Sequence, residues 1–251
     1  MVIDLKGKTA LVTGATGELG RVMARTLAGC GAKLIIHYHQ NKTKADELVS
    51  EIGGKGPGVI AVQADVTDQD SVVCMRDLLA DGFGLPDIIV NNAVVQYDWK
   101  PVLEQDIADY ESQFRSCVLQ NVLMAKAFAP HMIEAGWGRI IAINTECTMQ
   151  ASPNQSAYIS GKAGQDRVIR VLAKEIGGEG VTVNQVAPGW TLSENVHDGK
   201  EADTYRGGVP LKRRGKDQEI ANVVAFLASE LASFITGSYI PVCGGNVMPT
   251  I

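Results

Sequence analysis

Tyr158 and Lys162 stand four positions apart in a stretch of helical period, residues 156–176, so their side chains project from one helix face, one turn apart. An ammonium beside a phenol favours the phenolate and draws tyrosine from its ordinary pKa of about 10 towards neutral pH. Such a tyrosine can donate a proton to a carbonyl oxygen under reduction, or accept one from an alcohol under oxidation. Taken alone, the Tyr-x-x-x-Lys pattern arises often as a surface tyrosine with a solvated lysine. The setting gives it weight: Thr145 brings a hydroxyl to the end of the apolar run 138–143, just upstream, in a chain that alternates strands with helices.

A second site is written near the start. The run Thr13-Gly14-Ala15-Thr16-Gly17-Glu18-Leu19-Gly20 follows the first apolar strand pattern and opens the first helical one. Glycines there allow a tight turn and close approach to a pyrophosphate, which rests on the amides of the helix N-terminus. In NAD-binding chains a carboxylate about 20 residues further on holds the ribose hydroxyls. Here that place reads His37-Tyr38-His39-Gln40-Asn41-Lys42, with no acid before Asp46. A 2′-phosphate meets no repulsion there and finds His39 or Lys42, so NADP(H) is favoured, with NAD(H) the alternative.

The elements that position these residues read as strands at 8–13, 33–37, 59–63, 87–90, 138–143, 181–186 and 239–242. Helical segments lie between them at 18–30, 42–52, from 68, 110–135, 156–176 and 217–229. This alternation predicts an α/β fold: a doubly wound parallel sheet of Rossmann type in a single domain of 251 residues. Ligands in such sheets lie beyond the carboxyl ends of the strands. That edge carries Asp65, Asn91-Asn92-Ala93, Asn144-Thr145 and Pro188-Gly189. Residues 190–216 are irregular, charged and glycine-bearing, and read as a substrate lid.

Composition narrows the classes. Asp and Glu outnumber Lys and Arg, 28 to 23, with no basic run, which argues against a nucleic-acid partner. No charge-free apolar stretch reaches the roughly 18 residues that a membrane span requires, and the N-terminus lacks signal-peptide order. The five cysteines are scattered without ligand spacing, so free thiols in a cytoplasmic protein and no metal site are expected.

In order and spacing, the glycine turn, Asp65-Val66, Asn91-Asn92-Ala93, Pro130-His131-Met132, Gly138-Arg139-Ile140, Tyr158/Lys162, Val183-Asn184, Ala187-Pro188-Gly189-Trp190, Pro210-Leu211, Ile235-Thr236-Gly237 and Gly244-Gly245 resemble the short-chain dehydrogenase/reductase family. The likeness spans nearly the whole chain, and is to its non-extended branch, with ketoacyl reductase-like and sugar or alcohol dehydrogenase members. It implies an oxidoreductase acting between a carbonyl and a secondary alcohol of a small molecule. Tyr158 is then the acid/base, Lys162 the ribose holder that lowers the tyrosine pKa, and Thr145 the substrate-orienting hydroxyl. The implied cofactor contacts are Gly14, Thr16, Gly17, Leu19, Gly20, His39, Asp65, Val66, Asn91, Ala93, Tyr158, Lys162, Pro188, Gly189, Thr191 and Ser193. A homotetramer, or a homodimer, is implied too, its interface on the 110–135 and 156–176 helices.

Five positions depart from the family pattern, two of them, Val94 for a common glycine and Cys243 for a common aspartate, read as structural. Glu18 takes the place of the usual middle glycine and is read as pointing outward, as acids in a first helical turn often do. Cys117 stands for the asparagine of the proton relay; either the relay runs through backbone and water alone, or it is impaired. Thr145 for serine keeps the hydroxyl and adds a methyl. Gln96, Glu146, Gln150, Trp190, His197 and Tyr205 are the substrate-side candidates, their polar tone suiting a hydroxylated or carbonyl-bearing molecule. The competing readings are a non-catalytic dinucleotide sensor of the same fold, motivated by Glu18 and Cys117, and a Rossmann-like methyltransferase, which has no use for a Tyr–Lys pair.

Overall fold

A computed structural model describes residues 2–53, 58–195 and 201–249. In chain order the elements are β1 (Thr9–Val12), α1 (Glu18–Gly29), β2 (Lys33–Tyr38), α2 (Lys42–Gly53), β3 (Val59–Gln63), α3 (Gln69–Asp81), β4 (Ile88–Asn91), α4 (Ile107–Gln113), a π-helical turn (Phe114–Leu119), α5 (Gln120–Glu134), β5 (Gly138–Ile143), α6 (Cys147–Gln150), α7 (Ser156–Ile176), β6 (Val181–Pro188), β7 (Thr191–Leu192), α8 (Glu201–Gly208), β8 (Gly215–Lys216), α9 (Asp217–Ala228) and β9 (Tyr239–Val242). Seven strands form one parallel sheet in the order β3-β2-β1-β4-β5-β6-β9.

Both faces of this sheet are covered, and the strand sequences show why. Ala10 and Val12 of β1 join one core with Val22, Met23 and Leu27 of α1 and Val224 and Leu227 of α9, while Leu11 joins the opposite core with Leu79, Phe128 and Met132. The same alternation splits Leu34 and Ile36 from Ile35, and Ile88 and Val90 from Ile89. Side chains on a strand alternate faces, so near-continuous apolar runs are what a sheet buried on both sides demands. Each fully buried Leu or Ile contributes roughly 1.5–3 kcal/mol.

The chain builds the sheet outward from β1 to β3, then crosses to β4 and builds the other way. The strand order therefore reverses between β1 and β4, which opens a crevice at their carboxyl ends. Two segments differ from their sequence reading. The helix expected over 110–135 begins at Ile107 and is interrupted by the π turn, whose six residues include Cys117. The segment 190–216 is less irregular than its composition suggests: it holds α8, and its ends pair as β7 with β8, Thr191 opposite Gly215. None of the described helices is long and apolar enough to cross a membrane.

Candidate active site

The crevice between β1 and β4 is pinned by side chains. The Thr13 hydroxyl accepts the backbone N–H of Asn92 (2.8 Å) and Ala93 (3.0 Å) and donates to Gln120 Oε1 (2.8 Å). Asn92 Nδ2 donates back to the Thr13 and Gly14 carbonyls. Gly20 packs so closely that a Cβ there would lie 2.3 Å from the Gly14 carbonyl oxygen and 2.8 Å from Ala15 Cα. Gly14 has φ +59°, in the left-handed region, with Ala93 Cα 3.0 Å from where its Cβ would be. Here glycine is required by contact as well as by conformation.

His37 supports the turn from beneath. Its Nδ1 accepts the Gly14 N–H (3.0 Å) and its Nε2–H donates to the Ala64 carbonyl (3.0 Å), a pairing only the neutral imidazole can make. Burial drives its pKa down from 6.5 to about 4. The unfolded chain therefore binds a proton between pH 6.5 and 4 that the folded chain refuses. The stabilisation is complete above 6.5 and is lost as pH falls towards 4. Denaturant titrations of wild type and His37→Asn at pH 7 and 4.5 should show the wild type losing about 2 kcal/mol more than the variant; equal losses would remove His37 as the cause.

The cleft beyond the turn forms two adjoining cavities. One, of about 640 Å³, is lined by Gly14, Thr16, Gly17, Glu18, Leu19, Gly20, His39, Gln40, Asn41, Asp65, Val66, Asn92 and Ala93. The other, of about 610 Å³, is lined by Thr145, Glu146, Gln150, Gln155, Tyr158, Lys162, Pro188, Gly189, Trp190, Thr191, Ser193 and Tyr205. Glu18, Leu19, Asn92, Val94, Val95 and Gln96 border both, so an extended ligand can run from one into the other past Glu18.

Thr145 is held at the end of β5 by its neighbour: Asn144 Oδ1 accepts the Thr145 N–H, while Asn144 Nδ2 donates to Gln185 and to the Lys162 carbonyl. The Thr145 carbonyl accepts the Tyr239 hydroxyl. Tyr158 is held by its backbone N–H on the Tyr97 hydroxyl (2.8 Å) and by stacking on Trp99, ring centroids 6.1 Å apart. Burial pushes the Tyr158 hydroxyl well above the ordinary phenol range, opposed by a hydrogen bond with Thr145. The expected lowering by Lys162 is corrected here. Lys162 Nζ donates to the Ile143 carbonyl (2.6 Å) and to Gln165 Oε1 (3.1 Å), 6.0 Å from the Tyr158 ring centroid. Burial is the largest cause at the tyrosine, and burial also lowers the lysine's own pKa.

Three further sequence readings change. Glu18 does not point outward. It accepts Ser193 Oγ (2.7 Å) and Asn195 Nδ2 (2.8 Å) and pairs with Arg21, which ties the glycine turn to the 190–216 segment. These donors outweigh burial and hold its carboxyl down at about 2. Asn91 lines neither cavity: its Nδ2 donates to Asn121 Oδ1, and Asn121 in turn donates to the Cys117 carbonyl (2.7 Å). The Cys117 thiol faces Gln113 Oε1 at 3.8 Å, a weak contact in the π turn. Lys42 is also absent from the cavity wall, being paired with Asp46 at 2.7 Å. His197 lies outside the described residues. Tyr97, Trp99 and Gln155 reach the cavity without having carried any motif; only their nearness in sequence to the strand ends and to Tyr158 pointed to them.

A family model described as enoyl-(acyl carrier protein) reductase matches residues 14–246. The 3-oxoacyl-[acyl-carrier-protein] reductase of Synechocystis is 36% identical over 97% of this chain and 98% of its own length. A short-chain dehydrogenase of Burkholderia cenocepacia, solved with NADP, superposes with TM-score 0.89 at 32% identity, over 96% of this chain and 98% of that one. The chain belongs to the short-chain dehydrogenase/reductase family. A gluconate 5-dehydrogenase of Burkholderia cenocepacia, in complex with NADP and tartrate, is similar too (TM-score 0.90, 28% identity, covering 97% and 96%). As a short-chain dehydrogenase/reductase the protein is an oxidoreductase that interconverts carbonyl and alcohol with a nicotinamide dinucleotide. The packing at Gly14 and Gly20 leaves no room for a side chain at either position of the turn.

Proposed function

We propose that the protein is an NADP(H)-dependent oxidoreductase of a small molecule, interconverting a carbonyl and a secondary alcohol. The observation that carries this is the convergence of Tyr158, Thr145 and Lys162 on one cavity that opens into the glycine-turn cleft. The nicotinamide supplies or accepts the hydride. Tyr158, kept protonated by burial, gives its proton to the substrate oxygen, and the Thr145 hydroxyl orients that oxygen. Lys162, on the Ile143 carbonyl, is placed to hold a ribose hydroxyl and to steady the tyrosine's charge as it forms. Residues 190–216 act as the substrate lid, with Trp190, Thr191, Ser193 and Tyr205 on its cavity side.

The preference for NADP(H) rests on the β2 end, which gives the cavity His39, Gln40 and Asn41, while the carboxylates on its wall, Glu18 and Asp65, come from α1 and the end of β3. A charge-assisted hydrogen bond to a 2′-phosphate is worth about 1.5–3 kcal/mol. Titration with each reduced cofactor in turn should therefore give NADPH an advantage of about tenfold or more. Binding of neither would sink the reading, and an NADH preference would overturn the cofactor choice. The exposed apolar residues Leu103, Ile107, Phe114 and Val171 on and beside the α4 and α7 helices suit burial between subunits, supporting a homotetramer or homodimer. The five unpaired cysteines suit a cytoplasmic setting. Glu18 in the cleft favours one second reading, a weakly active or purely sensing member of the family; tight NADPH binding without turnover of any carbonyl would select it.

A further inference from the structure

The residue next to Thr145 in the chain is an acid in the cavity wall. Glu146 is 2% exposed, and its two oxygens are held by neutral donors only: Oε1 by the Tyr205 hydroxyl (2.8 Å) and Oε2 by Asn246 Nδ2 (3.1 Å). Among the described residues it forms no ion pair. Arg214, the cation of the neighbouring loop, donates to the Trp190 and Thr191 carbonyls and stacks on the Trp190 ring at 4.2 Å. Buried charge of this kind is costly and acts strongly on anything brought beside it. Gln155, on the same wall, carries a buried Oε1 that no donor among the described residues reaches.

The wall thus offers acceptors, and one of them is a carboxylate with no ion pair among the described residues. A hydroxyl can donate to such groups, whereas a carboxylate or phosphate has only acceptors and a like charge. We propose that Glu146 makes this site selective for an uncharged, hydroxyl-bearing substrate and sets it against substrates with an acidic group beside the reacting carbon. The inference rests on the cavity being the substrate site. Tyr205 and Asn246 are positioning residues: they fix the carboxylate from the α8 and C-terminal sides, so that its charge faces a defined place.

Threitol and tartrate test this, since they share a carbon skeleton and two central hydroxyls and differ in the terminal carboxylates. Calorimetric titration of each into the protein, with and without NADP+, reads selectivity by binding and not by turnover. Wild type should bind threitol about 30-fold or more tightly than tartrate, as expected for like charges in a poorly screened site. Glu146→Gln keeps the shape and should shrink the ratio to about threefold, chiefly by gaining tartrate affinity. Lys162 lines the cavity in both proteins, so the change reports Glu146. The wild-type ratio stands even if the variant fails to fold. Equal or tighter binding of tartrate to wild type, no binding of threitol, or an unchanged ratio in a folded variant would overturn the proposal. A preserved threitol preference with no turnover of any ketone would instead count against the oxidoreductase site while leaving the selectivity in place.

Discussion

Tyr158→Phe is expected to lower kcat/KM by about 10³-fold or more while the NADPH dissociation constant moves by less than about threefold. The variant keeps the ring that stacks on Trp99 and the backbone N–H that binds Tyr97, so the wall of the cavity stays as it is. What it loses is the hydroxyl that bonds with Thr145 in the cavity and moves the proton. The pH dependence follows from the raised pKa and has a definite sign. A phenol held above its ordinary range is protonated throughout neutral pH, so carbonyl reduction should be flat there and fall only under strongly alkaline conditions. Alcohol oxidation needs the phenolate and should climb about tenfold per pH unit through the same range. Substantial activity in the phenylalanine variant, or an oxidation rate indifferent to pH, would assign the proton to another group.

Glu18→Gly is expected to tighten NADPH binding by about tenfold or more. With its pKa held at about 2, Glu18 is ionised at any working pH, at the start of α1 where the two cavities meet. A diphosphate resting on the amides of that helix would come close to this carboxylate. Two unit charges about 4 Å apart repel by roughly 1 kcal/mol in water and about 4 kcal/mol at intermediate dielectric. Glu18 also holds Asn195 and Ser193, the latter a donor on the cavity wall. Removing it takes away the repulsion and frees both. The gain should shrink as salt rises, since screening weakens the repulsion. The variant should also lose up to about 1 kcal/mol of stability with the helix-terminus and clasp contacts. Glu18→Gln separates charge from contact: affinity should rise if charge is the obstacle. Weaker NADPH binding in both variants would mean that the clasp organises the lid for the cofactor and does not oppose it.

Much of this molecule is legible from residue order. The strand ends, the glycine turn and the Tyr158/Lys162 spacing are local features, set by the two-residue period of strands and the 3.6-residue period of helices. A parallel sheet with right-handed crossovers must then bring those ends to one edge. That is why Thr145, Tyr158, Pro188 and Gly189, far apart in sequence, share a wall that their spacing already implied.

Other features depend on contacts that no period encodes. Where Glu18 points is settled by Ser193 and Asn195, some 175 positions away, and a first-turn acid with those donors in reach does not turn to solvent. Asn91 leaves the site because Asn121 meets it across α5, and its neighbour Asn92 faces the cleft instead. The rise of the Tyr158 pKa follows burial, opposed by a hydrogen bond with Thr145, both products of tertiary packing. Glu146 shows the division most clearly: sequence placed an acid beside Thr145, while Tyr205 and Asn246, arriving from the lid helix and the C-terminal segment, hold it in place in the cavity wall. Sequence alone determined the family, the fold and the chemical types at the sheet edge, because these rest on local periodicity and chain order. The direction of each side chain and the electrostatics of the cavity were decided by the tertiary structure, because they depend on partners that folding brings together from distant parts of the chain.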